Sequence, residues 1–194
     1  MRELIYYIAT SIDGMIAASD GSTDRFTSDP RALGALAELY PQSFPTPFHE
    51  PLGITESARS SAWSTVVMGR EAFEPARKAG LRSPYAHLDQ YVVSTTLSHD
   101  IEPEVTLVDG DPVELVQRLK STARGDIWLC GGGRLASSVH DEIDRLIVKV
   151  NPFIAGQGRP LFGAPLPSSN WSLVSSRELP AGIVVLEHER SQAV

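Results

Sequence analysis

A run of three glycines, Gly131, Gly132 and Gly133, separates an apolar segment from a segment of helical spacing that begins at Arg134. Glycine allows the backbone to approach a ligand closely, and the first N–H groups of a helix lack a helical partner and favour an anion. The run therefore predicts a site for a phosphate-bearing ligand, with a dinucleotide as the obvious candidate. A tight turn without a ligand is the alternative, because the spacing matches neither the Rossmann fingerprint nor a P-loop.

Two other apolar segments end in residues that suit a phosphate. Met68-Gly69-Arg70 closes one of them, and the planar guanidinium of Arg70 matches the geometry of a phosphate group. Ser94-Thr95-Thr96 closes the other, with hydroxyls that suit a ribose or its 2′-phosphate. A surface arginine and ordinary turn chemistry explain the same residues without a ligand. Together, the three ends predict one ligand that lies across the carboxyl edge of a parallel sheet.

The elements that must position these ends alternate along the chain. Predicted strands cover residues 4–9, 65–68, 91–94, 105–108 and 126–130, followed by strands at 143–150, 171–177 and 183–189. Predicted helices follow Asp29-Pro30, Gly69-Arg70 (as far as Pro75), Asp111-Pro112 and the glycine run. The pattern indicates an α/β fold of three layers, with helices on both faces of a mixed sheet of about eight strands. The sheet is expected to be parallel first, with an antiparallel pair of strands at its C-terminal end.

Residues 41–53 contain four prolines and are predicted to form a long loop. Loops of this length in compact domains are usually binding loops or disordered segments. We expect this loop to border the substrate pocket, and Phe44, Phe48 and His49 are its only chemical clue.

Charge and cysteine content restrict the class of protein. The 194 residues include 17 Lys and Arg against 24 Asp and Glu, a net charge of −7, which argues against broad contact with nucleic acid or an anionic membrane. Cys130 is the only cysteine, and its place in an apolar strand favours a core role over a nucleophilic one. The five histidines have no metal-ligand spacing, so we expect no metal site. We expect a single cytoplasmic domain, residues 1–194, without a signal peptide or a membrane span.

Several short motifs occur in the order in which a known family has them. They are Ser11-Ile12-Asp13-Gly14-Met15-Ile16-Ala17, Val67-Met68-Gly69-Arg70, Val93-Ser94, residues 128–135, Asp141-Glu142-Ile143-Asp144, and the Gly- and Pro-containing residues 152–162. Through them the chain resembles the dihydrofolate reductase superfamily, and most closely the branch that contains the reductase domain of bacterial riboflavin biosynthesis. The resemblance runs from the first strand to the end of the last motif.

The resemblance implies that the cofactor is NADPH. It places Gly69 and Arg70 at the adenosine phosphates, and Ser94 and Thr95 near the 2′-phosphate. The chain departs from the family at Ala72, where a threonine is typical. Because this departure removes one hydroxyl from the phosphate site, the choice between NADPH and NADH stays open.

The resemblance also assigns residues to the other end of the cofactor. Ala9 and Ile16 are expected to flank the nicotinamide ring. The residues implied for the pyrophosphate and the nicotinamide side are Gly131, Gly132, Gly133, Arg134 and Leu135.

The substrate side offers four candidates, three of them with a structural alternative. Asp29 lies where classical dihydrofolate reductases place the carboxylate that assists protonation, but it is also a good helix N-cap before Pro30. Asp13 matches the Asp-Gly turn of the family, and such a residue more often forms a loop than donates a proton. Gln157 and Arg159 match the region where the riboflavin-pathway reductases approach their substrate, and Arg159 suits either a ribosyl phosphate or an ordinary loop.

The sequence thus predicts an NADPH-dependent reductase that passes hydride to a small heterocyclic substrate, pterin- or pyrimidine-like. The riboflavin-pathway intermediate is one candidate, and the absence from the sequence of the zinc motif of the deaminase often fused to such reductases counts against it. An unrelated substrate on the same fold stays open, because a fold does not fix function. A catalytically silent NADPH-binding sensor or partner protein is the alternative from a different class. The resemblance also implies a homodimer.

Overall fold

The computed structural model describes residues 1–56, 62–97 and 101–191. Its helices are α1 (Pro30–Leu39), α2 (Arg70–Lys78), α3 (Pro112–Thr122) and α4 (Gly133–Ser138). Its strands are β1 (Leu4–Thr10), β2 (Met15–Ala17), β3 (Trp63–Gly69), β4 (Asp89–Val93), β5 (Val105–Val108), β6 (Asp126–Gly131), β7 (Arg145–Val150), β8 (Arg159–Pro160), β9 (Trp171–Leu179) and β10 (Ile183–Arg190). Single turns of 3-10 helix form at Pro41–Ser43, Thr46–Phe48, His140–Glu142 and Pro180–Gly182.

Eight of the strands form one sheet in the order β5-β4-β3-β6-β1-β7-β10-β9. The strands from β5 to β7 in that order are parallel, whereas β10 pairs antiparallel with both β7 and β9. The predicted three-layer α/β fold with a mixed sheet of about eight strands is therefore confirmed. Because parallel strands end at the same edge, the carboxyl ends of β1, β3, β4 and β6 lie side by side.

The strand β1 shows how the sheet divides the core into two clusters. Tyr6 belongs to a buried cluster that includes Leu115 of α3 and side chains of α4. Tyr7, the next residue, belongs to a second cluster with Leu36 of α1 and Phe73 of α2. Successive side chains of a strand point to opposite faces, so the apolar run of β1 is buried on both. Burial of one large apolar side chain stabilises a fold by roughly 1.5–3 kcal/mol. The side chains buried on each face therefore hold both helical layers against the sheet.

Pro75 does not end the second helix, contrary to the prediction. The helix α2 continues to Lys78 with Pro75 inside it. The proline lacks an N–H group and so removes one hydrogen bond near the start of the helix. The first N–H groups of a helix have no helical partner in any case, so few hydrogen bonds are affected. Phe73 is buried before the proline, and Arg77 after it pairs with Glu74 at 3.0 Å, so contacts on both sides hold the helix together.

Two further features were not predicted. β2 and β8 form a separate two-stranded antiparallel sheet, in which Met15 is opposite Pro160. The predicted loop at residues 41–53 contains the first two 3-10 turns, and the side chains of Gln42 and His49 in it are buried. This segment is therefore packed against the domain rather than extended away from it.

No helix within the described part of the chain is long and apolar enough to cross a membrane.

Candidate functional site

Three strand ends meet at the carboxyl edge of the sheet. β3 ends at Gly69 between β4, which ends at Val93, and β6, which ends at Gly131. They border a cleft of about 330 Å³, which we call the outer cleft. It is lined by Gly69, Arg70, Glu71, Val93, Ser94, Thr95, Pro112, Gly132, Arg134, Leu135 and Ser138. The structure thus brings together the three segment ends that the sequence singles out.

The charges of the outer cleft favour an anion. Arg70 at the start of α2 and Arg134 in the first turn of α4 are both exposed, and neither forms an ion pair with any described residue. Glu71 is the only carboxylate among the described residues of the lining, and its Oε2 atom lies 2.9 Å from Nη1 of Arg159. No side chain caps the start of α2 after Gly69, so backbone N–H groups there remain for a ligand. Two unpaired guanidinium groups beside a helix start attract negative charge.

Ser94 and Thr95 differ in what their hydroxyls do. Oγ of Ser94 accepts hydrogen bonds from the backbone N–H groups of Thr96, at 3.2 Å, and Leu97, at 3.0 Å. This is the turn chemistry that the sequence offered as the alternative. Thr95 is exposed, and its hydroxyl makes no hydrogen bond to a described residue. Ser94 therefore shapes the turn, while Thr95 offers the hydroxyl that a ligand would meet first.

The three glycines have different surroundings. Gly131 has a φ of +112°, a conformation that favours glycine, and the peptide bond between Gly131 and Gly132 is cis. A Cβ atom on Gly132 would meet only Cδ1 of Ile16, at 3.8 Å, whereas one on Gly133 would lie 2.3 Å from the carbonyl oxygen of Pro160. The small size of Gly133 is therefore required by packing between two chain segments. Gly132 instead leaves bare backbone in the wall of the outer cleft.

A larger cavity of about 570 Å³ adjoins the outer cleft, and we call it the central cavity. Its volume lies within the range of roughly 300–1,000 Å³ that is usual for small-molecule sites. It is lined by Ile8, Ile16, Ala17, Ser19, Gly21, Thr23, Glu71, Ala72, Pro75, Cys130, Gly132, Gly133, Arg134, Gly158, Arg159, Pro160 and Gly163. Glu71, Gly132 and Arg134 line both spaces, so the two form one continuous concave surface at the sheet edge.

Cys130 lines the central cavity at the end of β6 but is not activated. Burial raises the pKa of its thiol to about 12, although the charge of Lys149 acts in the opposite direction. A thiol with such a pKa is protonated near neutral pH and is a poor nucleophile. This supports the core role expected from the sequence.

The small sheet of β2 and β8 brings Ile16 and Arg159 to the central cavity. Arg159 is paired with Ala17 in register, and its guanidinium lies directly over Gly21, where a Cβ atom would be 3.0 Å from Nη2. The ion pair with Glu71 ties this segment to α2. Gln157, the neighbouring candidate, is exposed and lines neither the outer cleft nor the central cavity.

Both candidate carboxylates have structural partners. Asp13 accepts hydrogen bonds from Oγ of Ser11 at 2.6 Å and from the N–H of Ala155 at 2.9 Å, and these bonds lower its pKa to about 2. Asp29 caps α1 and accepts from both the side chain and the backbone N–H of Arg31, which likewise lowers its pKa to about 2. A carboxyl group with this pKa is ionised near neutral pH and is a poor proton donor.

A third cavity, of about 160 Å³, lies against β1, β7 and α1, and we call it the α1 cavity. Its lining residues are Tyr7, Ala9, Phe26, Thr27, Leu33, Leu36, Ser43, Phe44, Lys149, Asn151 and Ile183. Ala9 faces this cavity, whereas its neighbour Ile8 faces the central cavity. Ser43 and Phe44 belong to the predicted loop at residues 41–53, which therefore borders a cavity.

Lys149 is the residue of the α1 cavity that sequence reasoning missed. The only signal for it is a charged side chain inside the apolar strand β7, one residue before the strand ends.

Across the described ranges, no group of three His, Cys, Asp or Glu side chains is arranged to hold a metal ion.

A known protein family and several known proteins resemble this chain over most of its length. The family model of the RibD C-terminal domain matches residues 2–185. The Bacillus subtilis (strain 168) protein YwjB is 28% identical over 164 residues, which cover 83% of each chain. The protein YyaP of the same strain is 24% identical over 196 residues, covering 94% of this chain and 92% of YyaP.

Solved structures share the fold. A putative riboflavin biosynthesis protein from Shewanella sp. PV-4 superposes with a TM-score of 0.70 at 23% identity. The match covers 99% of this chain and 100% of that protein. RibD of Acinetobacter baumannii gives a TM-score of 0.67 at 17% identity. The match covers 99% of this chain and 59% of the longer RibD chain. A pyrimidine reductase-like protein from Corynebacterium diphtheriae gives 0.61 at 15% identity, with 99% and 93% coverage. These likenesses confirm the dihydrofolate-reductase-like fold expected from the sequence.

Proposed function

The chain belongs to the RibD C-terminal domain family, and we propose that it is a cytoplasmic, NADPH-dependent reductase of a small heterocyclic substrate, pterin- or pyrimidine-like. In this proposal one domain, residues 1–194, supplies both the cofactor site and the substrate site. The proposal rests on Arg70 and Arg134, which have no ion-pair partner among the described residues. Both lie beside bare glycine backbone at the carboxyl edge of the sheet.

The outer cleft fits the phosphates of a dinucleotide. Arg70, with the free N–H groups at the start of α2, would hold one phosphate group, and Arg134 would hold the pyrophosphate over Gly132. Thr95 would donate to the 2′-phosphate from its exposed hydroxyl. Binding of a 2′-phosphate by this cleft would give the preference for NADPH despite the missing hydroxyl at Ala72.

The central cavity fits the nicotinamide end of the cofactor. Ile16 and Gly132 both line this cavity, and a Cβ atom on Gly132 would meet only Cδ1 of Ile16, at 3.8 Å. An apolar side chain and a bare peptide are therefore neighbours in the wall against which a ring would lie. The bound cofactor would supply hydride to a C=N or C=O carbon of the substrate. The task of Ile8 and Ile16 is to exclude water and to orient the ring, which is how a protein contributes to cofactor chemistry.

The substrate class rests on the relatives. The C. diphtheriae protein is described as pyrimidine reductase-like, and a Thermotoga maritima protein of the same fold, with a TM-score of 0.63 and 16% identity, is described as a deaminase and a 5-amino-6-(5-phosphoribosylamino)uracil reductase. This chain spans 57% of the Thermotoga protein. We therefore extend to this chain only a single-ring or fused-ring heterocycle as the substrate.

The direct test is turnover of NADPH with a panel of heterocycles. Purified protein is mixed with NADPH and, one at a time, with dihydrofolate, dihydropterin, aminouracils and ribosylated aminouracils, and the absorbance of the reduced cofactor is followed. Consumption of NADPH with at least one of them, lost in Arg70→Ala, supports the proposal. Absence of NADPH binding to the wild-type protein overturns it.

One observation favours a second candidate, a nucleotide-binding sensor or partner protein without turnover. Among the described residues that line the central and α1 cavities, Glu71 is the only carboxylate, and Arg159 holds it in an ion pair. No acidic side chain there is poised to protonate a substrate. Tight NADPH binding without oxidation across the whole panel would favour this candidate.

A homodimer is part of the proposal. β9 is the edge strand of the sheet, and its Leu173 and Val174 are exposed, at 58% and 50%. An exposed apolar edge strand is a ready surface for pairing with another chain. Light scattering coupled to size-exclusion chromatography checks this, and a dimer that Val174→Lys converts to a monomer is the expected result.

A further inference from the structure

Lys149 has an unusual position for a lysine. It lies on β7 next to Ala9 of β1 in register, on the face of the sheet that carries α1. Its Nζ atom stands 3.9 Å from the centre of the Tyr7 ring, and the side chain is half-buried. The face of an aromatic ring attracts a cation and would hold this ammonium group in place at the wall of the α1 cavity.

The ammonium of Lys149 lacks a counter-ion within the part of the chain that the structure describes. It forms no ion pair and no hydrogen bond there, and the lining of the α1 cavity contains no carboxylate. Lysine is seldom removed from water without a partner, because burial disfavours its charge. A half-buried, unpaired cation inside a cavity therefore points to a ligand that supplies the missing negative charge.

The other polar side chains of the α1 cavity are already engaged. Asn151 donates to the carbonyl oxygens of Thr10 and Lys149 and accepts from the N–H of Thr27. Oγ of Ser43 donates to the carbonyl oxygen of Tyr40 at 2.8 Å. Oγ1 of Thr27 accepts from the N–H of Asp29 at 3.1 Å, and the hydroxyl of Tyr7 lies 3.4 Å from Oγ of Ser43. Lys149 is therefore the one polar side chain of this lining without a hydrogen bond to a described residue, which leaves it to recognise a polar group of a ligand.

The rest of the α1 cavity suits a flat ring. Phe26, Phe44 and Leu36 supply apolar walls, and the volume of about 160 Å³ lies below the range of roughly 300–1,000 Å³ that is usual for larger ligands. Ala9 and Ile8 are consecutive on β1 and line the α1 cavity and the central cavity respectively. Their side chains point to opposite faces of the sheet, but the charge of Lys149 in the α1 cavity acts on the thiol of Cys130 in the central cavity. A ring in the α1 cavity would therefore lie near the space assigned to the nicotinamide.

We propose that the α1 cavity takes the ring of a planar heterocycle that carries an anionic or strongly polarised oxygen, and that Nζ of Lys149 donates the hydrogen bond that recognises this oxygen. The assignment rests on the proposed function, because it specifies the substrate side of the same site. Lys149 is then a specificity-determining residue, and substrates of the same shape without such an oxygen are discriminated against.

Calorimetric titration with two matched probes tests the assignment. Barbiturate is an anionic pyrimidine at neutral pH, and uracil is a neutral pyrimidine of similar shape. Both are titrated into the wild-type protein, Lys149→Met and Lys149→Arg, each saturated with NADPH, with Lys78→Met on α2 as the matched control. Lys149→Met should weaken barbiturate binding about tenfold or more, the worth of one charge-assisted hydrogen bond, and change uracil binding much less. Lys149→Arg and Lys78→Met should keep the preference for barbiturate.

Each contrary outcome has its own meaning. Equal affinity of barbiturate for the wild-type protein and Lys149→Met overturns the role of Lys149, and failure of both probes to bind the wild-type protein overturns the ring site. NADPH is titrated into every variant, and its binding reports on the proposed function separately, because Lys149 does not line the outer cleft. If thermal unfolding shows that Lys149→Met is not folded, Lys149→Gln takes its place in the same comparison.

Discussion

The outer cleft and the α1 cavity are built in different ways. The outer cleft is made of strand ends, glycines and helix starts that are local in sequence, and its two arginines follow those glycines directly. The α1 cavity is made of side chains from β1, α1, residues 41–53 and β7, which lie far apart along the chain. A site made of backbone can be recognised from short motifs, whereas a site made of dispersed side chains appears only once the topology is known.

The largest expected effect distinguishes two neighbouring glycines of the outer cleft. Gly133→Ala places a Cβ atom 2.3 Å from the carbonyl oxygen of Pro160, so the free energy of unfolding should fall by about 3 kcal/mol or more. Gly132→Ala meets only Ile16 at an ordinary contact distance and should leave stability nearly unchanged. Urea denaturation of both variants measures this, and equal destabilisation would contradict the division of roles between the two glycines.

An effect of intermediate size is expected from the ion pair between Glu71 and Arg159. Glu71 lines both the outer cleft and the central cavity, and Arg159 lines the central cavity. Glu71→Gln removes the only carboxylate of the outer cleft and releases Arg159 from it. NADPH should bind about two- to fivefold more tightly, since a partly exposed charge acts through solvent with up to about 1 kcal/mol. Fluorescence titration measures the change, and probe binding in the α1 cavity should stay the same. Weaker NADPH binding in Glu71→Gln would show that the carboxylate, rather than the arginines, contacts the cofactor.

The smallest effect concerns Asp13, which holds the segment beside β2. Its pKa in the folded protein, about 2, lies below the ordinary value of 3.8, mainly because of the hydrogen bond from Ser11. A lowered pKa means that the ionised form stabilises the fold above pH 3.8, and this contribution is lost as the pH falls through 2. The stability difference between the wild-type protein and Asp13→Asn should therefore shrink between pH 4 and pH 2. A difference that is constant over this range would show that the charge of Asp13 contributes nothing.

The sequence predicted the sheet well because buried parallel strands read as short apolar runs bounded by turn residues. The same holds for the carboxyl edge, where Gly69, Ser94 and Gly132 could be identified from local spacing. It did not predict the pairing of β2 with β8, because strands of three and two residues carry almost no periodic signal.

The residues of the substrate site could not be predicted from local sequence spacing in the same way. Asp29 was a candidate from its position along the chain, but the structure uses it to cap α1. Lys149 had no motif around it, and its meaning depends on Tyr7 and Phe44, which only the fold brings near it. Side-chain sites of this kind need the register of the sheet, which single-sequence patterns do not give.

The proposed cofactor site depends on the unpaired arginines of the outer cleft, which would bind the phosphates of NADPH. The measurement is an equilibrium titration of the protein with NADPH and with NADH, followed by nicotinamide fluorescence, on the wild-type protein, Arg70→Ala, Arg134→Ala and the control Arg118→Ala on the exposed side of α3. We expect saturable binding with NADPH preferred, weakened about ten- to a hundredfold by Arg70→Ala or Arg134→Ala, the worth of one hydrogen bond to a charged group. Arg118→Ala should bind as the wild-type protein does. Binding that all three variants retain unchanged, or no binding of either nucleotide, would overturn the assignment of these arginines to the cofactor phosphates.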